Sequence, residues 1–303
     1  MAIDQQTAYT LSVTAPAPAP APARAGRQGA ADSVRFWRER RFDDLECLKA
    51  RFTRHSYAPH VHDTFAIGVI TGGAEAFRYR GARHVAPAGS LVAVNPDELH
   101  DGAPAEDSFA YRMLYPSVAL VQGIADDLAD RPSGFPAFTA PVMDDPEVAR
   151  LLGQAHSLME SRGDALAAEQ ALTAALSLML RRHSENCPQG RRLGREVAPI
   201  RRARRLADAC YMQDLTLHDL AGAAGLSRFY FLRTFRREVG LTPHAYLTGR
   251  RIAAAKGLLA GDQPLSEVAL ACGFYDQSHF TRSFKGCTGV TPGQYRSGLR
   301  AAA

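Results

Sequence analysis

Cysteine is scarce in this chain, and none of its five cysteines belongs to a C-x-x-C pair. A small, odd and dispersed set argues against a disulfide framework and against a zinc finger, so buried apolar fillers in a reducing compartment are expected. Long apolar runs are also missing, because no stretch reaches 18 residues, and no membrane span is expected. The first ten residues lack a basic region followed by an apolar one, so we expect no secretory signal and a cytoplasmic protein.

Positive charge is concentrated at one end of the sequence. Residues 195–303 contain 16 Lys and Arg against 8 Asp and Glu, whereas residues 1–194 contain 20 against 23. A basic segment joined to a slightly acidic body indicates that the segment meets a polyanion.

The first half of the chain changes character near residue 34. Residues 1–33 include an alternating Ala-Pro run that cannot bury a core, so they predict a disordered tail. Residues 34–142 contain short apolar runs separated by turn signals. One run, Phe65 to Ile70, ends at Thr71-Gly72-Gly73, and another, Leu91 to Val94, follows Pro87-Ala88-Gly89. This spacing is typical of an antiparallel sandwich or barrel.

Helical periodicity begins after Asp144-Asp145-Pro146. Apolar residues recur at helical spacing from Val148 to Met159 and again from Ala165 to His183, and Gly163-Asp164 separates the two stretches. Residues 143–185 therefore predict an antiparallel helix pair. Residues 186–196 contain one proline and two glycines and predict a linker.

Residues 197–300 carry an internal repeat with a spacing of about 48 residues. The first copy reads Leu217-x-x-Leu220-Ala221-x-x-x-Gly225-Leu226, then Phe231-x-Arg233-x-Phe235 and Gly240-x-Thr242-Pro243. The second copy reads Leu265-x-x-Val268-Ala269-x-x-x-Gly273-Phe274, then Phe280-x-Arg282-x-Phe284 and Gly289-x-Thr291-Pro292. Two helices joined by a short glycine turn form a helix-turn-helix, so units are predicted at about 217–238 and 265–288.

Local chemistry supports the boundaries of these helices. Gly225 and Gly273 supply the positive φ that ends a helix, and Ser227 and Asp276 are N-cap candidates for the helices that follow. The stretch 243–259 predicts one joining helix that begins after the Thr242 cap. At 1.5 Å per residue it spans roughly 25 Å, which can set the two recognition helices about one DNA turn apart.

Helical geometry predicts which residues of each second helix point outward. With Phe231, Phe235 and Val239 inward, the outward residues of the first unit are Phe229, Tyr230, Arg233, Arg236 and Arg237. Those of the second unit are Ser278, His279, Arg282, Lys285 and Gly286, flanked by Gln277 and Thr281. Arg233 and Arg282 occupy equivalent positions suited to guanine, whereas Arg236, Arg237 and Lys285 suit phosphate. A pair of ordinary helical hairpins with a solvated charged face is the alternative.

These features resemble the DNA-binding domain of the AraC/XylS family of bacterial transcription regulators. The second copy carries the resemblance most clearly, through Ala269-x-x-x-Gly273-Phe274 and Gly289-x-Thr291-Pro292-x-x-Tyr295. The resemblance implies double-stranded DNA and RNA polymerase as partners. It also implies base contacts from Phe229, Leu232 and Arg233, to which we add Arg228 at the start of the same helix.

The N-terminal region resembles the cupin-like β-barrel sensor of that family. Pro59-His60-Val61-His62, Pro87-Ala88-Gly89 and Pro96-Asp97-Glu98-Leu99-His100 carry this resemblance, which implies a small-molecule effector inside the barrel. The candidate ligand-binding residues are His60, His62, Arg78, Arg80 and His100. Inward arginines would favour an anionic effector, whereas an inward Phe77 and Tyr79 would favour a more apolar one.

The histidines also suit a metal, because H-x-H with a later His offers three neutral nitrogen ligands. Metal-binding cupins commonly add a glutamate a few residues after H-x-H, and residues 63–67 contain none. We therefore assign no metal ligand and no cofactor.

The whole sequence predicts an α+β protein, with a cupin-like barrel and helix pair followed by an all-α domain of two helix-turn-helix units. The function expected is a ligand-modulated, sequence-specific DNA-binding regulator, not an enzyme. The helix pair is expected to form a homodimer, or else only to cover the barrel. The alternatives are a metal-dependent cupin enzyme fused to a DNA-binding domain and a ligand-independent DNA binder.

Overall fold

The computed structural model describes residues 32–129, 132–161, 163–185 and 197–301. Almost all of the predicted tail, and the whole of the predicted linker at 186–196, lie outside these residues. The strands are β1 (Ser33–Glu39), β2 (Leu45–Phe52), β3 (Tyr57–His60), β4 (Ala66–Tyr79), β5 (Ala82–Pro87), β6 (Leu91–Val94), β7 (His100–Tyr115) and β8 (Val142–Met143). The helices are α1 (Val118–Ala129), α2 (Pro146–Glu160), α3 (Ala165–His183), α4 (Val197–Ala209), α5 (Leu217–Ala224), α6 (Arg228–Val239), α7 (Pro243–Leu258), α8 (Leu265–Ala271), α9 (Gln277–Thr288) and α10 (Pro292–Ala301).

Two long strands organise the sheet. The hydrogen-bonded order is β1-β2-β7-β4-β6-β8, and β3 adds to β7 while β5 adds to β4, always antiparallel. Strands β4 and β7 have 14 and 16 residues, so the prediction of short strands throughout is wrong for both. Their two halves pair with different neighbours, and buried aromatic and aliphatic side chains such as Phe52, Ile70 and Phe109 fill the space enclosed. The result is a barrel-like double layer.

The turn predicted at Thr71-Gly72-Gly73 is not a strand end. Strand β4 runs through it, and its register against β7 shifts between Ile70 and Gly72 and again between Gly73 and Glu75. Gly73 has φ +62°, and a Cβ there would collide with the carbonyl oxygen of Ser108. Glycine thus permits a bulge that bends the strand without ending it.

The outer face of the sheet is covered by three helices. Ile67, Leu91 and Leu114 belong to an apolar cluster shared with α1, α2 and α3. The helix pair α2–α3 agrees with the sequence prediction, and Asp164 caps α3 by accepting a hydrogen bond from the Ala167 N–H at 2.9 Å. Helix α1 was not predicted.

Helices α4 to α10 form the all-α part, with a separate core for each helix-turn-helix unit. Phe231 and Phe235 are in the first core, and Phe280 and Phe284 are in the second. The predicted joining helix is α7, and the Thr242 side chain accepts from the Ala245 N–H at its start. The α+β fold class is confirmed.

Candidate nucleic-acid interface and barrel cavity

The first helix-turn-helix unit consists of α5 and α6. Helix α5 begins in a capping box between Thr216 and Asp219, which satisfies backbone N–H groups at both ends of the box. It ends at Gly225, whose φ is +68°. Ser227 then caps α6 by accepting from the Tyr230 N–H at 3.3 Å. The turn glycine and the cap agree with the sequence prediction.

The second unit consists of α8 and α9. Gly273 has φ +80°, and a Cβ there would lie 2.8 Å from the carbonyl oxygen of Met212, so this position requires glycine. Asp276 caps α9 by accepting from the His279 N–H at 2.6 Å. Phe280 and Phe284 are completely buried. Their burial fixes the opposite side of α9 as its outer face.

The outer face of α9 is open to solvent. The fully exposed residues among those predicted to contact DNA are Gln277, Ser278, Arg282 and Lys285. His279 and Thr281 are half-buried at its edge. This surface has the cationic and hydrogen-bonding groups that a major-groove helix needs.

The outer face of α6 is not fully open. Arg236 and Arg237 are exposed, and Arg228, Leu232 and Arg233 are half-buried, but Phe229 and Tyr230 are only 8% and 7% exposed. The prediction that both aromatics point to solvent is wrong in this arrangement. The reason is tertiary: helix α6 packs against α1 and α3, and Phe229 joins the apolar cluster of the sensor helices.

Two buried carboxylates, Glu169 of α3 and Asp164, the N-cap residue of this helix, contact the DNA-binding part. Glu169 accepts hydrogen bonds from the Leu217 N–H at 2.8 Å and from the Arg228 guanidinium at 3.2 Å. Asp164 lies 3.4 Å from the His244 imidazole and 3.5 Å from the Arg251 guanidinium.

The ionisation of Asp164 reflects these neighbours. Burial alone raises the pKa of this carboxyl, but the hydrogen bond and charge of His244, the Ala167 N–H and the charge of Arg251 outweigh it and hold the pKa well below its ordinary value. The charged form of Asp164 therefore favours the docked arrangement, in which α5, α6 and α7 of the DNA-binding part pack against α3.

A groove of about 660 Å³ separates the helix pair from the recognition helices. Arg150 and Arg181 of the helix pair and Arg233, Arg236 and Arg282 of the recognition helices line it. The Arg233 guanidinium lies 5.4 Å from the centre of the Phe229 ring, and burial together with the charge of Arg181 lowers its pKa. In this arrangement Gln277, Ser278, Arg282 and Lys285 of α9 are exposed, whereas Phe229 and Tyr230 of α6 are covered.

The barrel encloses a second cavity, of about 110 Å³. His60, His62 and His100 lie at this cavity, and their ring centres are 4.4 to 5.2 Å apart. The Nδ1 of His60 lies 2.8 Å from the Ala58 carbonyl oxygen, and the Nδ1 of His100 lies 3.1 Å from that of Glu98. If these Nδ1 atoms carry the protons, the Nε2 atoms of both rings are acceptors.

The same three histidines could hold a metal ion. One ligand nitrogen from each lies within 4.8 Å of the others, so modest side-chain movement would bring them around one divalent transition metal. Burial is the main cause that lowers the pKa of His62 and of His100, and the neighbouring imidazoles add to it. Neutral imidazoles are the form that binds a metal.

Arg78 and Arg80 do not line the cavity, which corrects their assignment as ligand-binding residues. Both are exposed, and Arg80 forms an ion pair with Glu98 at 2.6 Å. Their strand alternates, so the inward positions are occupied by Phe77 and Tyr79, which are buried. Burial of two aromatic rings is favourable, whereas burial of two unpaired guanidinium groups would be costly.

Five polar residues of the cavity are not predicted by the sequence. They are Tyr57, Glu75, Asp101, Tyr111 and Tyr115, and the Tyr57 and Tyr111 hydroxyls lie 2.8 Å apart. A signal for Glu75 was present, because it precedes Phe77 by two residues and therefore shares its face of β4. No comparable spacing predicts the inward position of Tyr111 and Tyr115, because the sequence does not predict strand β7.

Two domain families match the chain. Residues 43–176 match the AraC-like ligand binding domain, and residues 220–298 match a helix-turn-helix domain. An uncharacterized HTH-type transcriptional regulator of Bacillus subtilis, YbfI, is 26% identical over 244 residues, which cover 78% of this chain and 85% of that protein. The HTH-type transcriptional activator RhaS of Klebsiella pneumoniae is 22% identical over 246 residues, covering 77% and 85%. The solved DNA-binding domain of AdpA, in complex with a target DNA, is 30% identical, with a TM-score of 0.33, and covers 34% of this chain and 95% of that one.

No helix of the described ranges is both long enough and apolar enough to span a membrane. The helix-turn-helix geometry, the two domain matches and the regulators among the relatives agree with one another. The chain is a transcriptional regulator that combines an N-terminal AraC-like ligand-binding domain with a C-terminal helix-turn-helix DNA-binding domain.

Proposed function

We propose that this regulator is a cytoplasmic protein without enzymatic activity, and that an effector bound in the barrel controls whether its first recognition helix can reach DNA. The burial of Phe229 in the apolar cluster of the sensor helices, on a helix that packs against α1 and α3, carries the proposal. A duplex cannot contact residues that another part of the protein covers. Full DNA binding therefore requires α6 to leave the sensor helices.

A short structural path connects the barrel cavity to α6. Tyr115 lines the cavity and ends β7, and Val118 begins α1 only three residues later. Helix α1 packs against α6. An effector that contacts Tyr115 can thus change the position of α1 and the docking of α6, provided that it binds the docked and released arrangements with different affinity.

The same release would uncover a surface for a homodimer. Thirteen of the 19 residues of α3 are buried, and α3 contacts α5, α6 and α7 of the DNA-binding part. We infer that dimerisation through the helix pair competes with docking, so release of α6 favours both DNA reading and self-association. RNA polymerase is the further partner that the family resemblance adds.

A metal-dependent enzyme is the second candidate, and the cluster of His60, His62 and His100 is the observation that favours it. Among the described residues, this cluster contains no carboxylate. The cluster therefore offers only three neutral nitrogen ligands.

The function is tested by selecting fragments of the source genome on the purified full-length chain. The expected result is enrichment of a conserved segment read by α9. A chain carrying Glu169→Ala, in which α6 is released more often, should also select a second segment about one helical turn away, roughly 34 Å. Arg282→Ala should weaken binding at the segment read by α9. Absence of any enriched site, or sites unaffected by Arg282→Ala, would overturn the proposed mode of recognition.

A further inference from the structure

Glu75 is a carboxyl without a partner in the barrel cavity. Its side chain is half-buried and lines the cavity, and no hydrogen bond or ion pair to it occurs among the described residues. Gly102 of the neighbouring strand leaves room for it, because a Cβ on Gly102 would lie 2.7 Å from Oε1 of Glu75. The carboxyl therefore occupies space that any other residue at position 102 would restrict.

The ionisation of this carboxyl is shifted in the absence of a ligand. Burial raises the pKa of Glu75 to about 8, so most molecules carry it uncharged at neutral pH. Neither form has a hydrogen-bond partner among the described protein residues. A ligand in the cavity that donates a hydrogen bond would give the Glu75 carboxyl the partner that it lacks.

The lining of the cavity is suited to positive charge. It contains neither Lys nor Arg, but two carboxyl groups, Glu75 and Asp101. The aromatic rings that line it are those of Tyr57, Phe77, Tyr111 and Tyr115. Aromatic faces attract cations, and carboxylates pair with them. An anion would meet no cationic side chain there, which removes the basis for the anionic effector expected from Arg78 and Arg80.

Hydrogen bonding favours an ammonium group that carries its own donors. If Nδ1 of His60 and of His100 donates to its backbone carbonyl, both Nε2 atoms are acceptors in the same cavity. A primary ammonium has three N–H donors and can serve a carboxylate and an imidazole nitrogen together. A quaternary ammonium has none.

We propose that the barrel cavity binds a small primary amine in its ammonium form, with its charge paired to Glu75 and its carbon chain against the tyrosine rings. The amine proposal rests on the proposed function in one respect, namely that the effector binds in the barrel cavity. The cavity volume of about 110 Å³ limits the enclosed part of the ligand to a short chain.

Binding of an ammonium should release a proton. The ligand favours the carboxylate form of Glu75, which is mostly protonated at pH 7 before binding, so up to about one proton leaves per amine bound. Affinity should rise by about tenfold per pH unit below pH 8, while an alkylamine itself remains charged over this range.

The test is isothermal titration calorimetry on the full-length chain, with EDTA present throughout so that no metal occupies the histidines. The probes are n-butylamine, 1-butanol, butyrate and the polyol erythritol. Butylamine should bind at least about tenfold more tightly than the others, and its heat should vary with the ionisation enthalpy of the buffer, since a proton is released. This measurement needs no variant.

Glu75→Gln keeps the shape of the side chain and removes its charge. It should reduce butylamine affinity by at least about tenfold and abolish proton release, whereas Glu106→Gln, at an exposed residue of β7, should change neither. Tighter binding of butanol, butyrate or erythritol, an undiminished amine affinity in Glu75→Gln, or binding only without EDTA would each overturn the proposal. Genomic DNA selection by the unliganded chain is a separate result and does not depend on this outcome.

Discussion

The guanidinium of Arg228 lies 3.2 Å from the carboxylate of Glu169, and this contact joins the first residue of the first recognition helix to the sensor. The same carboxylate accepts from the Leu217 N–H, at the start of the preceding helix. One side chain of α3 therefore contacts both helices of the first helix-turn-helix unit. Because Glu169 is not part of the DNA-binding domain, its substitution changes docking without changing a DNA-contacting residue.

Glu169→Ala should strengthen DNA binding. The substitution removes both contacts from the docked arrangement, so the population with α6 released increases, and the apparent affinity for an operator fragment should rise by about fivefold. Fluorescence anisotropy with a labelled fragment measures the change.

Glu106→Ala provides the matched control, because it removes the same charge from an exposed position of the barrel. If Glu169→Ala binds no more tightly than the wild type or this control, while its circular dichroism is unchanged, docking of α6 does not limit DNA binding.

Arg233→Ala should reduce specific DNA affinity by about 1–3 kcal/mol and relax the preference at one base position. Arg233 lies on α6 above the Phe229 ring and faces the groove, so it is positioned for a base edge once α6 is released. Competition with fragments mutated at single positions measures both effects.

Lys285→Ala is the comparison for Arg233→Ala, since Lys285 is exposed at the C-terminal end of α9 and is assigned to phosphate. It should weaken binding to all sequences and reduce the slope of log affinity against log salt concentration by about one. Operator binding unaffected by Arg233→Ala would show that the first recognition face is assigned wrongly.

The helix-turn-helix units were predictable because their signals are local. A cap such as Ser227 and a turn glycine such as Gly225 act within four residues of chain, and sequence spacing reveals them directly. Helical periodicity is also a local signal, and it correctly predicts that Phe231 and Phe235 lie on the inward side of α6. Burial of Phe229 depends instead on contacts with α3, about 60 residues away, and no local pattern encodes them.

The barrel was predictable in type but not in detail. Alternation along β4 correctly allowed two orientations for residues 77–80, and only the packed structure selects the aromatic one. The sequence predicts a turn at Gly73, where the structure has a bulge, because glycine is common in turns and in bulges. Which of the two forms depends on how β4 packs against Ser108 of β7, a strand distant in sequence. Two of the cavity tyrosines, Tyr111 and Tyr115, lie on β7, whose first half is polar and small and does not show the alternation of an ordinary strand.

The histidine cluster should not retain a stoichiometric metal. His60, His62 and His100 supply three neutral nitrogens, and no carboxylate belongs to the cluster in the described part of the chain. Three imidazoles can hold zinc when they are pre-positioned at bond lengths of about 2.0–2.1 Å. Here the ligand atoms lie within 4.8 Å of one another, so the rings must move before they share one ion. Elemental analysis of protein purified without chelator and dialysed should therefore give substoichiometric Fe, Mn, Zn and Ni. A full equivalent that His62→Ala removes would favour the metal-dependent enzyme.

The contribution of His156 to the free energy of unfolding should fall as the pH decreases from about 6.5 to 4. Glu75, whose pKa is raised to about 8, acts in the opposite sense between pH 8 and 4.5, so the His156 contribution is the difference between the wild type and a His156 variant. The His156 side chain is 1% exposed, and burial, followed by the charge of Arg112, lowers its pKa to about 4. Below pH 6.5 the unfolded chain binds a proton at this imidazole and the folded chain does not, so the loss develops between the two pKa values and approaches about 3 kcal/mol. Stability above pH 6.5 should be independent of this group.

Urea denaturation at a series of pH values measures the loss. His156→Gln should be less stable at pH 7, because the imidazole contacts the Leu48 carbonyl oxygen and Arg112. The difference in stability between the wild type and this variant should shrink by about 3 kcal/mol from pH 6.5 to 4. His218→Gln, at an exposed histidine, should retain the wild-type dependence. Glu160, whose pKa is lowered to about 2 by its pairing with Lys49 and Arg112 against the effect of burial, contributes its loss only between about pH 4.5 and 2, so the two windows are separable. An equally steep dependence in His156→Gln would assign the upper window to another group.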